Sequence, residues 1–428
     1  MTQTSPPSQL APSWGVLFQC FGLIGLLSFG GPAAQIALMH RELVDRHRWL
    51  SEEQFLRGLS FCMLLPGPEA MQLATYAGWR LRGIRGGLLA GSLFVLPGAF
   101  VIAALVWLYV TFGTLPTVQA AFLGIKAAVV VIVMQALWRI SRKALHSTGA
   151  WLLALGGFLA IFAFNLPFPL VVLGAALIGL TRVPEAEDSA PPAHAVPAHH
   201  WRTIVIWTAL WLLPLLGLSL IGAEFLATIG WFFAKLAVVT FGGAYAVLAY
   251  MTQTVVSTHG WISTGQMIDA LGLAETTPGP LVLVTQFVAM LAGVQTGGAV
   301  LGLAAGIVAL WATFAPCFLW IFATAPYVER LTHQPRLRGA LQAITAAVAG
   351  MMLNLSVWFL LHLLFRRQTE LQFGPLSLAV PTVDSIEVRA LALTVLAPLV
   401  AFALRGRILW LLAVMACLGL IADGFTLG

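Results

Sequence analysis

Long apolar stretches, separated by short polar ones, run the length of the chain. Runs free or nearly free of charge cover 14–39, 86–110, 118–138, 150–164, 168–181, 203–221, 225–251, 298–326, 339–361, 390–404 and 408–422. About 20 helical residues cross a hydrocarbon core. Backbone in lipid must satisfy its own hydrogen bonds, and the period-2 alternation of a barrel strand is missing, so the runs are predicted as helices. The stretch 183–200, VPEAEDSAPPAHAVPAHH, is Pro/Ala-rich with mixed charge and reads as a linker. The expected organisation is a first module at 1–181, a linker at 182–202, and a second module at 203–428 with an extra leading span at 203–221. Residues 1–13 carry no Lys or Arg, so no cleaved leader is expected.

Three segments break the helical pattern. Phe29-Gly30-Gly31-Pro32 interrupts the first run, Pro66-Gly67-Pro68 sits inside 58–79, and Pro278-Gly279-Pro280 sits inside 270–291. Pro-Gly-Pro lacks two backbone donors and holds a flexible residue between them, so it cannot continue a helix. Inside a membrane such a break survives only where protein or a water-filled cavity covers the freed groups. The bland alternative is a proline kink buried in packing.

The breaks recur because the chain is duplicated. Adding 212 maps 28–68 onto 240–280 without a gap, with 15 identities in 41 positions. The matches include Phe29-Gly30-Gly31 with Phe241-Gly242-Gly243, His47-Arg-Trp49-Leu-Ser51 with His259-Gly-Trp261-Ile-Ser263, and the two Pro-Gly-Pro triplets. Further on, Gly87/Gly91 align with Gly298/Gly302 at offset 211, and Pro97, Pro116 and Ile125 with Pro316, Pro335 and Ile344 at offset 219.

Charge orients the copies. Segment 40–57 holds Arg41, Arg46, Arg48 and Arg57, and its counterpart 252–269 holds no Lys or Arg. Arg80, Arg82 and Arg85 likewise face a neutral 292–296, whereas 111–117 is neutral and 329–338 holds Arg330, Arg336 and Arg338. Basic loops stay on the cytoplasmic side, so the copies are expected upside down relative to each other. Both flanks of each Pro-Gly-Pro segment then lie on one side, and each segment is expected to dip in and return. The expected fold is an all-α polytopic membrane protein of two inverted-topology repeats with broken, re-entrant helices at Pro-Gly-Pro. One parity problem follows: either the Phe-Gly-Gly segments are also re-entrant, or one of 150–164 and 168–181 does not span.

Composition narrows the class. The chain is 60% apolar and 9% charged, against about 25% charged in soluble domains. That excludes an ordinary soluble protein, a disordered chain and a nucleic-acid binder, and the net charge of +6 fits Arg-rich cytoplasmic loops. Cys20, Cys62, Cys317 and Cys417 are far apart and form neither a disulfide framework nor a metal knuckle. No nucleotide-binding loop, His-Glu-x-x-His or Gly-x-Ser-x-Gly is present, so no catalysis, cofactor or metal is expected.

The candidate chemistry suits an anion. Half-helix N-termini at the midplane present free N–H groups. Lys126 and Lys235 lie inside apolar runs, where charge is costly; snorkelling is the alternative. Glu69 follows the first Pro-Gly-Pro and Glu275 precedes the second, as proton carriers or as structural anchors. Gln35, Gln72 and Gln286 are neutral hydrogen-bonding candidates, and Arg57 and Arg80 could supply charge if not merely cytoplasmic. His47 and His259 read as an interfacial structural motif, and His194, His199 and His200 as solvated linker residues. The expected site lies between the two Pro-Gly-Pro hairpins: Gly30, Gly31, Pro32, Pro66, Gly67, Pro68, Gly242, Gly243, Pro278, Gly279 and Pro280, with the side chains above.

At FGGPAAQIALMHRELV (29–44), FCMLLPGPEAMQLATYAGW (61–79), RGGLLAGSLFVLPG (85–98) and FGGA…TTPGPL (241–281), the chain resembles the chromate ion transporter family in its long, two-domain form. The resemblance covers nearly the whole chain. It implies a bacterial inner-membrane protein that exports chromate by a proton gradient or membrane potential, confers chromate resistance, and meets sulfate as a competitor. Ala244 stands where the first copy has Pro32. Transport of sulfate or another anion, and a membrane enzyme or scaffold, are the alternatives. A homodimer is suggested by the Gly-x3-Gly pairs.

Overall fold

The computed structural model describes residues 12–181, 200–241, 244–328, 334–373, 376–405 and 407–424. Residues 182–199 of the expected linker, with His194 and His199, lie outside them, and 200–202 open a helix instead. The first copy comprises α1 (Trp14–Leu27), α2 (Gly31–His40) running into a π-turn at Arg41–Arg46, α3 (Glu52–Cys62), α4 (Glu69–Phe112), α5 (Pro116–Ala144), α6 (Thr148–Phe162) and α7 (Phe168–Thr181). Helix α8 (His200–Leu220) intervenes. The second copy repeats the order with α9 (Glu224–Val239), α10 (Ala244–Thr252) and a π-turn at Gln253–Thr258, α11 (Thr264–Glu275), α12 (Val284–Thr324), α13 (Pro335–Leu364), α14 (Val388–Ala403) and α15 (Ile408–Gly424). Between α13 and α14 an antiparallel hairpin, Gln368–Phe373 with Leu376–Pro381, is an addition the apolar pattern did not indicate.

Local signals recur with the sequence. Ser51 and Gln54 form a capping box at the start of α3, and Ser263 and Gln266 form the same box on α11. Pro116 and Pro335 open α5 and α13, where a missing N–H leaves no bond unmade.

Helices α4 and α12 are each two helices folded back on themselves. The breaks fall at Arg82–Gly83 and Gly297–Gly298, where Gly83 and Gly298 have φ of +62° and +81°. A Cβ on Gly78 would meet the Gly86 carbonyl at 2.3 Å, and one on Gly293 would meet the Gly302 Cα at 2.7 Å. Gly91 faces Thr75 and Gly306 faces Met290 in the same way. The equivalent glycines are therefore Gly78, Gly87 and Gly91 with Gly293, Gly302 and Gly306. That corrects the sequence pairing of Gly87/Gly91 with Gly298/Gly302. The extra residues of the second copy form a 3-10 turn at Leu281–Leu283, ahead of α12. These glycines pack within the chain, Gly87 on Phe322 and Gly91 on Phe318, and so give no argument for a dimer.

Contacts place the segment ends at two levels. At the first, Arg82 donates to the Pro12 carbonyl at 2.7 Å and lies over the Trp14 ring, His40 meets Glu52 at 2.6 Å, and Tyr76 interacts with both Arg57 and Arg80. The pairs α1/α2 and α3/69–81 thus both open at this level. The arm 84–112 leads away to 113–116, which lines one cavity with 263–269 and 294–295. The pair α11/284–296 therefore opens at the opposite end. So does α9/α10, since Phe225 packs on Trp261 and Phe232 on His259. The first Phe-Gly-Gly segment turns back between α1 and α2. Helices α6 and α7 reach across: at their shared turn Asn165 accepts from Gln253, at the second level.

The copies interlock. Helix α5 packs on α14 and α15, and α13 packs on α6 and α7, so each copy's fifth helix lies on the other copy's terminal pair. Small residues allow backbones to touch. A Cβ on Gly124 would lie 1.7 Å from the Met415 carbonyl, and one on Gly350 would lie 1.8 Å from that of Ala154. Among the described residues five helices are long and apolar enough to cross a membrane: Glu69–Phe112, Pro116–Ala144, Trp201–Leu220, Leu281–Tyr327 and Pro335–Leu364. The chain is an all-α multi-pass membrane protein carrying one small β-hairpin.

These contacts set a test. Gly124→Ala and Gly350→Ala should each destabilise the purified protein by about 1–3 kcal/mol, the usual cost of overpacking. Gly156→Ala, with open space around the added carbon, should not. Equal melting temperatures in detergent for all three would contradict the interlocked arrangement.

Candidate functional site

Four hairpin tips meet inside the protein, each touching a tip of the other copy. The Gly67 N–H donates to the Thr240 carbonyl at 2.8 Å, and the Gly279 N–H donates to the Ser28 carbonyl at 3.0 Å. These are repeat-equivalent bonds made in both directions. Each is a peptide group freed by a break and satisfied by the break opposite. The geometry needs glycine: Gly67 and Gly279 have φ of +120° and +89°. Gly30 and Gly31, at +89° and +80°, make the same reversal before α2, and Pro32 occupies the first turn, where no intrahelical donor is required. Gly242 and Gly243 lie outside the described residues. Pro66 and Pro68 flank one tip, and Pro278 and Pro280 flank the other.

The proline-bearing arms close around these tips. A Cβ on Gly98, beside Pro97, would lie 2.1 Å from the Pro278 carbonyl, and one on Gly67 would lie 3.1 Å from Cys317 Sγ, beside Pro316. Three predicted glutamines finish the packing. Gln35 donates to the carbonyls of Gly279 (2.7 Å) and Ser28 (3.2 Å), Gln72 to Pro66 (2.6 Å), and Gln286 to Ala99 (3.0 Å). All three are buried, and the carbonyl oxygen of each has no hydrogen-bond partner. Ser28 and Thr240 return their hydroxyls to Ile24 and Leu236, covering helix C-termini at the tips. The helices that begin at the tips, among them α2, α4 and α12, aim their N-terminal N–H groups and positive dipole ends inward.

The second feature is a cavity of about 1220 Å³ at the level of 113–116 and 263–269. Its wall holds an ion pair, Lys126 Nζ to Asp269 Oδ1 at 3.3 Å, and Tyr109 Oη donates to Asp269 Oδ2 at 2.9 Å. The ammonium is the one charged group facing Oδ1 in this pair. Tyr109 packs edge-on against Phe122 and Phe287 and closes the cavity toward the tips. The sequence reading missed Asp269, although it is the lone charge in 252–269.

The remaining predicted residues are dispersed. Glu69 starts α4 at the first tip and interacts electrostatically with Lys143, whose ammonium approaches Met63 Sδ at 3.9 Å. Helix α5 thus brings Lys126 to one Pro-Gly-Pro hairpin and Lys143 to the other. Glu275 is buried at the end of α11. Arg57 pairs with Glu53 on the same helix, and Arg80 is exposed beside Tyr76, so both belong to the first level and not to the tips. Lys235 is exposed and lines a separate cavity of about 720 Å³ with Glu224, Tyr250, Thr254 and His259. His47 and His259 stack on Trp49 and Trp261. Among the described residues, Cys20, Glu42 and His47 offer ligand atoms within 4.8 Å of one another. Arg46 holds the Glu42 carboxylate at 3.0 Å, and no metal is assigned there.

Interrupted helices crossing at a midplane, with charge held in internal cavities, define a multi-pass transport protein. The chain matches the Chromate transporter family over 15–180 and again over 227–420, and it belongs to that family, one of transport proteins and not of enzymes. It is 33% identical over 357 residues to the chromate transport protein of Pseudomonas aeruginosa, covering 82% of this chain and 81% of that one. It is 32% identical over 344 residues to a probable chromate transport protein of Synechococcus elongatus, covering 78% and 81%. The uncharacterized transporter YwrA of Bacillus subtilis is 30% identical over 172 residues, which is 39% of this chain and 96% of that protein. No solved structure matches.

Removing either crossing glycine should stop transport. In Gly67→Ala and Gly279→Ala the positive φ alone costs about 1–2 kcal/mol, and the added carbon would meet Gln72 Nε2 at 2.8 Å or Leu283 Cδ1 at 3.2 Å. Both variants should reach the membrane yet move no anion in vesicles. Wild-type flux in both would show that the crossing is dispensable.

Proposed function

We propose that this protein is a secondary transporter that exports chromate across the bacterial inner membrane, driven by the membrane potential or proton gradient, and so confers chromate resistance. The observation that carries the reading is the reciprocal crossing of the hairpin tips, which sets helix N-termini around a shared centre. Such a centre suits a tetrahedral dianion.

The first level, rich in arginine, is the cytoplasmic one on this reading, and the 1220 Å³ cavity faces outward. The copies are inverted-topology repeats, and access alternates about the tips. Relatives named as chromate transport proteins support chromate as the solute. The direction follows from charge. Moving one elementary charge across 100 mV is worth about 2.3 kcal/mol, so outward movement of a dianion gains about 4.6 kcal/mol at an inside-negative potential. That sustains a gradient of roughly three orders of magnitude without a coupled proton. Uptake would have to overcome the same term.

Labelled chromate should accumulate in energised inside-out vesicles containing the protein, be lost on adding a protonophore, and fall with excess sulfate. No accumulation above protein-free vesicles, with labelled sulfate moving instead, would reject chromate and retain an anion carrier.

A further inference from the structure

Asp269 stands out by its surroundings. Its carboxylate, 5% exposed, is held on a re-entrant helix but contacted by groups from two other elements, Tyr109 near the end of α4 and Lys126 on α5. An ammonium and a phenolic hydroxyl converging on one point are the donors an oxyanion requires. A carboxylate is itself an oxyanion. The ammonium stands 3.3 Å from Oδ1 and the hydroxyl 2.9 Å from Oδ2, so the carboxylate spans the two donors and holds the place an oxyanion would take. Lys126 is 22% exposed and opens to the cavity, which Ser263, Gln266 and Gln119 also line. The duplicated frame does not demand this pair. Arg57 occupies the position equivalent to Asp269, and Thr345 the position equivalent to Lys126.

We propose that Lys126 and Tyr109 form an oxyanion-binding site in the outward cavity, and that Asp269 is its resident counter-anion, which the transported anion displaces. The inference rests on the anion-transport reading above. A dianion and the carboxylate cannot share these donors, because like charges at contact repel. Arrival of the anion therefore releases α11 from α5. Helix α11 leads into Pro278-Gly279-Pro280, so displacement at the cavity loosens the hairpin whose tip forms the crossing. Departure of the anion lets Asp269 return, which keeps Lys126 from trapping the solute. Binding must be favourable enough to enter and weak enough to leave.

The rival reading is a buried ion pair that only pins α11 to α5. Equilibrium dialysis of the purified full-length protein with radiolabelled chromate, and separately sulfate, distinguishes the two, with flux measured in vesicles. Asp269→Asn should bind anion about tenfold or more tighter, as expected when a competing charge is removed, while its flux falls. Lys126→Gln should bind about tenfold or more weaker. The double variant Lys126→Gln/Asp269→Asn, which leaves no unpaired charge, should bind as weakly as Lys126→Gln. Tyr109→Phe removes one hydroxyl from an otherwise intact packing site and should weaken binding several-fold, so the inference stays testable if a charge variant fails to fold. Wild-type binding and flux in the double variant would establish the structural pin and overturn the inference alone. So would Asp269→Asn binding no tighter than wild type. A wild-type protein that binds neither anion would overturn this inference and the transport reading together.

Discussion

A broken helix in hydrocarbon exposes peptide groups that water cannot reach, and each unsatisfied group costs several kcal/mol. The rest of this structure depends on how that constraint is met. The tips cannot satisfy themselves, because Pro-Gly-Pro supplies one donor where a helix would supply three. The donor that remains, on Gly67 or Gly279, is taken by a carbonyl of the other copy. Neither copy can therefore be completed alone by this pattern. The interlocking of α5 with α14 and α15, and of α13 with α6 and α7, extends the same dependence to the periphery.

The arrangement explains why glycine and glutamine gather at the centre. A glycine at each tip permits positive φ and close approach. A glutamine fills the remaining space and gives N–H groups to stray carbonyls while remaining uncharged. Its unpaired oxygen, present on Gln35, Gln72 and Gln286 alike, leaves an acceptor in the interior without introducing a formal charge. Glu69 and Glu275 flank the tips, and the lysines stand back from them. Lys126 and Asp269 line a cavity, and Lys143 approaches from the other end of α5.

Much of this was legible in the residues. Pro-Gly-Pro at equal spacing in two copies marked the tips, and the loss of arginine between 40–57 and 252–269 marked opposite levels. Charge counting alone left the parity problem open, because α1/α2 can return or cross without changing any residue. Three things were hidden. The register of the fold-backs at Gly83 and Gly298 is displaced by the turn at Leu281–Leu283. The partner of Lys126 lay 143 residues away, so nothing in the local sequence joined Asp269 to it. The strands at 368–381 follow a basic junction and carry no long apolar run.

The differences between the copies bear on how many paths the protein offers. Two fully equivalent modules related by a pseudo-two-fold would line a centre with matched walls. Helix α5 carries Lys126 in its first half and Lys143 in its last turn; α13 has Thr345 and His362 at the equivalent positions. The lysines are 17 positions apart, about 26 Å along a helix, which is close to the thickness of the hydrocarbon core. From Ala127 to Val133 α5 is apolar and buried, and Arg139 and Arg142 join Lys143 in its last turns. Cations thus stand in the first half and the last turns of this helix, whereas α13 presents a threonine and a histidine at the two lysine positions, with Arg366 following it at the cavity. On the anion-transport reading proposed above, that asymmetry favours a single route along α5 over two symmetric ones, with the duplicated frame supplying the crossing of tips that such a route has to pass.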